Sequence, residues 1–146
     1  MALTGEQASF ASEARTATLA TIAEDGRPRL VPICFVLHGD VLFTPIDEKP
    51  KTADLRSLAR LRDIERRADV TVLIDRWDED WNHLAWLRID GRATLTDDPA
   101  ERASAIAALR AKYPQYAADP RHLADAPLIV VEPTQMVRWG SLTVHG

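Results

Sequence analysis

The sequence holds a single cysteine, Cys34, among 146 residues, so no disulfide can form within one chain. A reducing compartment is the natural one for such a protein. Long apolar runs are missing too: residues 128–131 are typical of the longest, far below the roughly 20 that a membrane-spanning helix needs. The opening Met1-Ala-Leu-Thr-Gly-Glu6 shows neither the basic start nor the apolar stretch of a secretion signal, and a cytoplasmic location is the expectation. The six glycines form no Gly-x-Gly-x-x-Gly and no phosphate-binding P-loop. No Gly-x-Ser-x-Gly elbow occurs, and Ser12, Ser57, Ser104 and Ser141 have no histidine partner in sequence. The four histidines, His38, His83, His122 and His145, are too dispersed to make a helix-borne metal pair. Asp75, Asp78, Glu79 and Asp80 invite a calcium loop, but a loop begun at Asp78 places His83 where glycine is needed and Ile89 where glutamate is needed. Basic residues do not dominate: 18 Lys and Arg stand against 22 Asp and Glu, for a net charge of −4, which argues against a nucleic-acid partner.

What is present is ordinary for one globular domain spanning residues 1–146, with 46% hydrophobic and 27% charged residues. Residues 1–14 read as a short amphipathic helix carrying Phe10. Residues 17–23 alternate like a strand and end at Asp25-Gly26, a tight-turn signal. A second strand over 29–37 contains Pro32, which cannot donate to a ladder and so marks an edge, bulge or opening. His38-Gly39-Asp40 turns into a strand over 41–44, giving an antiparallel meander. Leu55, Leu58, Leu61 and Ile64 predict a helix near 53–67, capped by Thr52, with its arginines largely outward. Strands follow over 70–75 and 84–96. In the latter Ala85, Leu87, Ile89, Ala93 and Leu95 form the apolar face, and Gly91 marks a bend or bulge. Asp98-Pro99 starts a helix over 100–113, residues 113–126 read as irregular, and two last strands over 128–132 and 134–139 are broken by Pro133. The expected class is mainly β with peripheral helices. Six or seven antiparallel strands close into a barrel to hide their edges.

Three features invite chemistry. The charge is uneven: between Lys49 and Arg67 seven basic residues face three acidic ones, a cationic island suited to a small anion. Within it, Thr44-Pro45-Ile-Asp-Glu-Lys49-Pro-Lys51-Thr52 joins a strand to a helix start, where two ammonium groups and backbone N–H groups could converge on a phosphate. A solvated charged loop is the plainer alternative. Trp77, Trp81, Trp86 and Trp139 are a heavy load for this length, and packing is the commoner use of each. Cys34, in an apolar strand, reads as a small hydrophobe.

The strand and turn of residues 17–28, together with Val31-Pro32, Phe43-Thr44, Lys49-Pro50-Lys51, the strand over 70–75 and Leu87-Arg-Ile-Asp-Gly-Arg-Ala93, resemble the pyridoxamine-phosphate-oxidase-like split-barrel superfamily. The likeness is greatest to its branch that uses the deazaflavin coenzyme F420, and Trp77-Asp-Glu-Asp-Trp81 resembles an insertion of one subgroup there. The resemblance implies a six-stranded, FMN-binding-like split barrel paired into a homodimer, with cofactors in grooves between subunits and a small-molecule substrate. It implies that Ala20, Thr21, Val31, Pro32 and Ile33 line the ring of the cofactor, and that Thr44, Pro45, Lys49, Lys51 and Thr52 hold its phosphate. Arg56 and Arg60 would meet an acidic tail, and Trp77, Trp81, Trp86 and Trp139 would form a pocket wall. Coenzyme F420 is the expected cofactor and FMN the alternative; a haem-binding or non-catalytic barrel is the reading from a different class. No acid or base is singled out, although Tyr113, Tyr116 and His83 could each donate a proton.

Overall fold

The computed structural model describes residues 1–46 and 55–144, apart from the side chains of residues 55–58 and Pro120. The chain forms α1 (Gly5–Glu13), β1 (Ala17–Ile22), β2 (Pro28–Ile33), β3 (Val36–His38), β4 (Val41–Pro45), α2 (Leu55–Arg66), β5 (Asp69–Arg76), β6 (Ala85–Leu95), α3 (Pro99–Lys112), α4 (Pro114–Ala118) and β7 (Leu128–Gly140). Local chemistry sets the helix starts. Thr4 and Gln7 make a reciprocal capping box on α1, and Asp98 accepts from the Glu101 backbone N–H with Pro99 in the first turn of α3. Thr52, expected to cap α2, lies outside the described residues. No helix among the described residues is long and apolar enough to cross a membrane.

All seven strands join one antiparallel sheet in the order β2-β1-β5-β6-β7-β4-β3. The two edges of this sheet, β2 and β3, are separated in sequence by Cys34 and Phe35 alone. Two residues reach only about 10 Å between flanking strand ends, so the edges must converge there and the sheet must curl. The expected single strand over 29–37 is therefore two strands, divided where the chain turns from one edge to the other. This makes seven strands among the described residues, within the six or seven read from the sequence and one more than the six that the resemblance implies. The meander is also corrected: β1–β2 and β3–β4 are hairpins, but β2 and β3 do not pair side by side.

The curl encloses a core built from alternating positions, including Leu19, Val72, Ile74, Leu87, Ile89, Ile129 and Val131, sealed by Phe10 of α1 and Ile64 of α2. A second cluster lies under α3 and α4, where Leu109, Tyr113, Tyr116 and Leu123 pack on Val36, Phe43 and Leu128. β4 is buried on both faces: Leu42 belongs to the first cluster and Phe43 to the second.

β7 runs unbroken through Pro133, contrary to the expected break. The register slips between Asp90 and Gly91, so that Asp90 pairs with Gln135 and Gly91 with Pro133, and Thr134 is the extra residue of a bulge. A proline fits where the ladder is already interrupted. Gly91 is needed there because a Cβ would lie 2.6 Å from the Glu132 carbonyl oxygen.

Candidate functional site: a notch at the sheet corner

The Cys34–Phe35 corner is held by two buried hydroxyls. The Tyr113 hydroxyl accepts from the Phe35 backbone N–H at 3.1 Å and lies 2.9 and 3.0 Å from the Arg15 and Phe35 carbonyls. Burial pushes its pKa up, which keeps the proton available for donation to those oxygens. The Thr44 hydroxyl, fully buried, donates to the Cys34 carbonyl at 2.7 Å. These bonds satisfy the Phe35 N–H and the Cys34 and Phe35 carbonyls at the turn.

Beside the corner lies a notch of about 160 Å³, lined by Val31, Pro32, Ile33, Cys34, Pro45, Ile46, Arg60 and Tyr116. One wall is the end of β2, where Pro32 leaves the edge short of a donor. Another is the end of β4, and Arg60 of α2 brings a cation to a lining of mostly apolar side chains.

Arg60 is 6% exposed, a departure from the outward arginines expected of this helix, although Arg62, Arg66 and Arg67 do lie outward. Its placement follows from the next turn. Asp63, 1% exposed, accepts from the Thr21 hydroxyl at 2.8 Å and from Arg29 Nε at 2.7 Å, and Arg66 lies 3.6 Å away. The hydrogen bond to Asp63 raises the Arg29 pKa further. This network ties α2 to β1 and β2, and Arg60 stands three residues before Asp63 on the same helical face.

Of the residues expected to line a cofactor, the structure brings Val31, Pro32, Ile33 and Pro45 together, with Thr44 one hydrogen bond behind them. Thr21 is buried on Asp63 instead of lining the notch. Ala20 points to the other face of the sheet, beside Ile22, Thr71, Asp90 and Thr134 around a separate hollow of about 360 Å³. Trp86 and Trp139 are directly opposed across β6 and β7 on that same outer face. Trp77 and Trp81 are exposed in the β5–β6 connection, and none of the four is among the described residues of the notch. Lys49, Lys51 and Thr52, and the side chain of Arg56, lie outside the described residues; Ile46 is the last described residue before this stretch. Ile46 was not expected at a site, and Tyr116 was expected there as one of three candidate proton donors. No group of three or more metal-ligating side chains occurs among the described residues.

A curled antiparallel sheet whose edge strands meet at a two-residue corner, with a cationic notch beside it, is the architecture of split-barrel proteins. The family model for pyridoxamine 5'-phosphate oxidase matches residues 3–140, and the chain belongs to that family. No curated protein matches the chain. Among solved structures it is similar to a conserved hypothetical protein from Mycobacterium tuberculosis, with 16% identity and a TM-score of 0.76, covering 97% of this chain and 86% of the other. It is also similar to the haem storage protein HutZ from Vibrio cholerae, with 22% identity and a TM-score of 0.69 over 96% of this chain and 95% of that one. A third is described as an F420 reductase, with 23% identity and a TM-score of 0.66 over 88% and 94% of the two chains.

Proposed function

We propose that this protein is an oxidoreductase that binds coenzyme F420 at the corner notch and passes a hydride between it and a small unsaturated or heteroaromatic molecule. The observation that carries the reading is the convergence of Val31, Pro32, Ile33 and Pro45 with buried Arg60 on one notch. A flat ring system calls for apolar walls, and its phosphate calls for a fixed cation.

The residues fit such a group in part. Apolar walls and a cation are present, yet about 160 Å³ falls below the roughly 300 Å³ at which ligand pockets begin. A second copy of the chain supplies the missing wall in this reading, which makes the active form a homodimer. The outer face of the sheet supports that: Leu30 and Trp139 are 66% and 52% exposed on it. In this reading Lys49 and Lys51 would add contacts to the phosphate and Arg56 would meet the acidic tail. Bound there, the coenzyme supplies the hydride chemistry. The chain's own residues seat the ring, fix its phosphate and exclude water, and no side-chain acid or base is required. The location is the cytoplasm.

FMN is the second reading, because Arg60 and the two lysines serve either phosphate. Haem would need an axial ligand, for which the described notch offers Cys34 and Tyr116 and no histidine. The test is a Lys49→Ala, Lys51→Ala double variant titrated with coenzyme F420. Each lost charge-assisted contact weakens binding by about 1.5–3 kcal/mol. Affinity equal to the unaltered protein would remove the phosphate assignment.

A further inference from the structure

The corner has a second consequence. Residues before it line the notch, whereas Val36 and Leu37 after it line a different, open groove of about 540 Å³, together with Ser12, Glu13, Arg15, Ala108, Ala111 and Lys112. Lys112 is one of its lining residues. Lys112 Nζ is buried and has no hydrogen-bond partner among the described residues. It lies 3.9 Å from the centre of the Phe35 ring and 5.4 Å from that of Tyr113. An aromatic face attracts a cation but leaves its three N–H donors unsatisfied.

Arg15 adds a second positive charge. Its guanidinium stacks 4.7 Å from the Tyr113 ring centre and donates to the Lys112 carbonyl at 3.0 Å, covering the last carbonyl of α3. Against these two cations the groove presents one carboxylate, the exposed Glu13. The remaining walls are Ser12 and the apolar Val36, Leu37, Ala108 and Ala111.

From this geometry we propose that the α1–α3 groove binds a small free carboxylate bearing a short apolar tail. The carboxylate accepts from Lys112 and Arg15, and the tail lies along Val36, Leu37, Ala108 and Ala111. An acceptor at this point satisfies the buried ammonium, which otherwise meets two rings and no hydrogen-bond acceptor among the described residues.

The groups facing Lys112 are Arg15 before β1, Glu13 of α1, Cys34 at the corner and Tyr113 after α3. Burial, followed by repulsion from Arg15, lowers the lysine pKa to about 8. The ammonium is thus charged at pH 7 and loses its charge a little above. Bound carboxylate stabilises the charged form, so binding weakens as pH rises through that range and the ligand shifts the lysine pKa upward.

The experiment titrates hexanoate into the full chain and follows the backbone amide signals of Val36, Leu37 and Ala111 by NMR. Saturable shifts are expected at pH 7. They should weaken about tenfold in Lys112→Met, which keeps the stem over Phe35, and vanish in Ala111→Trp, which fills the exposed groove. Hexylammonium carries a similar tail with the opposite charge and should leave these signals unmoved. The proposal is overturned if hexanoate moves none of them, if Lys112→Met binds it equally, or if hexylammonium binds as well. Each variant's urea midpoint is measured alongside, so that a folding defect is not read as lost binding.

Discussion

The corner depends on single atoms. Tyr113→Phe removes the hydroxyl that meets the Phe35 N–H, leaving a buried donor unpaired at a cost of about 1–3 kcal/mol. A urea denaturation series should show that loss, and unchanged stability would mean the hydroxyl does not pin the corner. Lys112 works in the opposite sense. Its pKa is near 8 when folded, against 10.5 for the free group, so between these values the unfolded chain binds more protons than the folded one. Stability therefore rises with pH across that window, and the penalty is fully present below it. Lys112→Met should unfold at higher urea than the parent at pH 7 and lose the rise from pH 8 to 10.5. A parent with flat stability across that window would contradict the burial argument. These residues were hard to find in sequence. Lys112 and Tyr113 end a helix of ordinary composition, and only the fold carries their side chains about eighty positions back to Phe35. The burial of Arg60, named for an acidic tail, and the role of Asp63 were likewise hidden, because a stripe of leucines at threefold spacing directs attention to the apolar positions of α2. Val31, Pro32, Ile33 and Pro45 were legible, since a proline in an apolar strand states its own constraint.

At the scale of elements, the β6–β7 bulge shapes the sheet. Gly91 lets the Glu132 carbonyl approach within what would be 2.6 Å of a Cβ, and its neighbours there are backbone and a packed valine, which have little room to move. Gly91→Ala should destabilise the protein by about 1–3 kcal/mol through forced backbone displacement, read as a lower urea midpoint. A midpoint unchanged from the parent would show that β7 can yield. The glycine was recognisable from the alternation it interrupts. The continuity of β7 through Pro133 was not, because the register that makes Pro133 harmless belongs to the partner strand. The division of residues 29–37 into two strands was hidden for a similar reason: apolar alternation runs on while the backbone changes edges. Helix boundaries came closest to expectation wherever a capping side chain announced them, as Asp98 does for α3.

For the whole molecule, the proposed homodimer gives one common explanation for exposed Leu30 and Trp139 on the outer face of the sheet and for the small size of the notch. Trp139→Asp, placing charge on that face, should shift the protein from dimer to monomer in sedimentation and weaken coenzyme binding in parallel. A monomeric parent would contradict the pairing. The mainly β class was readable from turn signals and strand count, whereas the sheet curls without its edges pairing into a closed barrel. The order of strands was not, since it depends on contacts far apart in sequence. The central claim is that the notch at Val31–Cys34 seats a phosphorylated tricyclic ring. Its most direct test is a fluorescence titration of coenzyme F420, with FMN and haem in parallel, into the parent protein and Val31→Trp. The account predicts saturable F420 binding that exceeds FMN and haem and is lost when the tryptophan fills the notch. Equal F420 binding by a folded Val31→Trp variant, or tighter binding of FMN or haem by the parent, would contradict it.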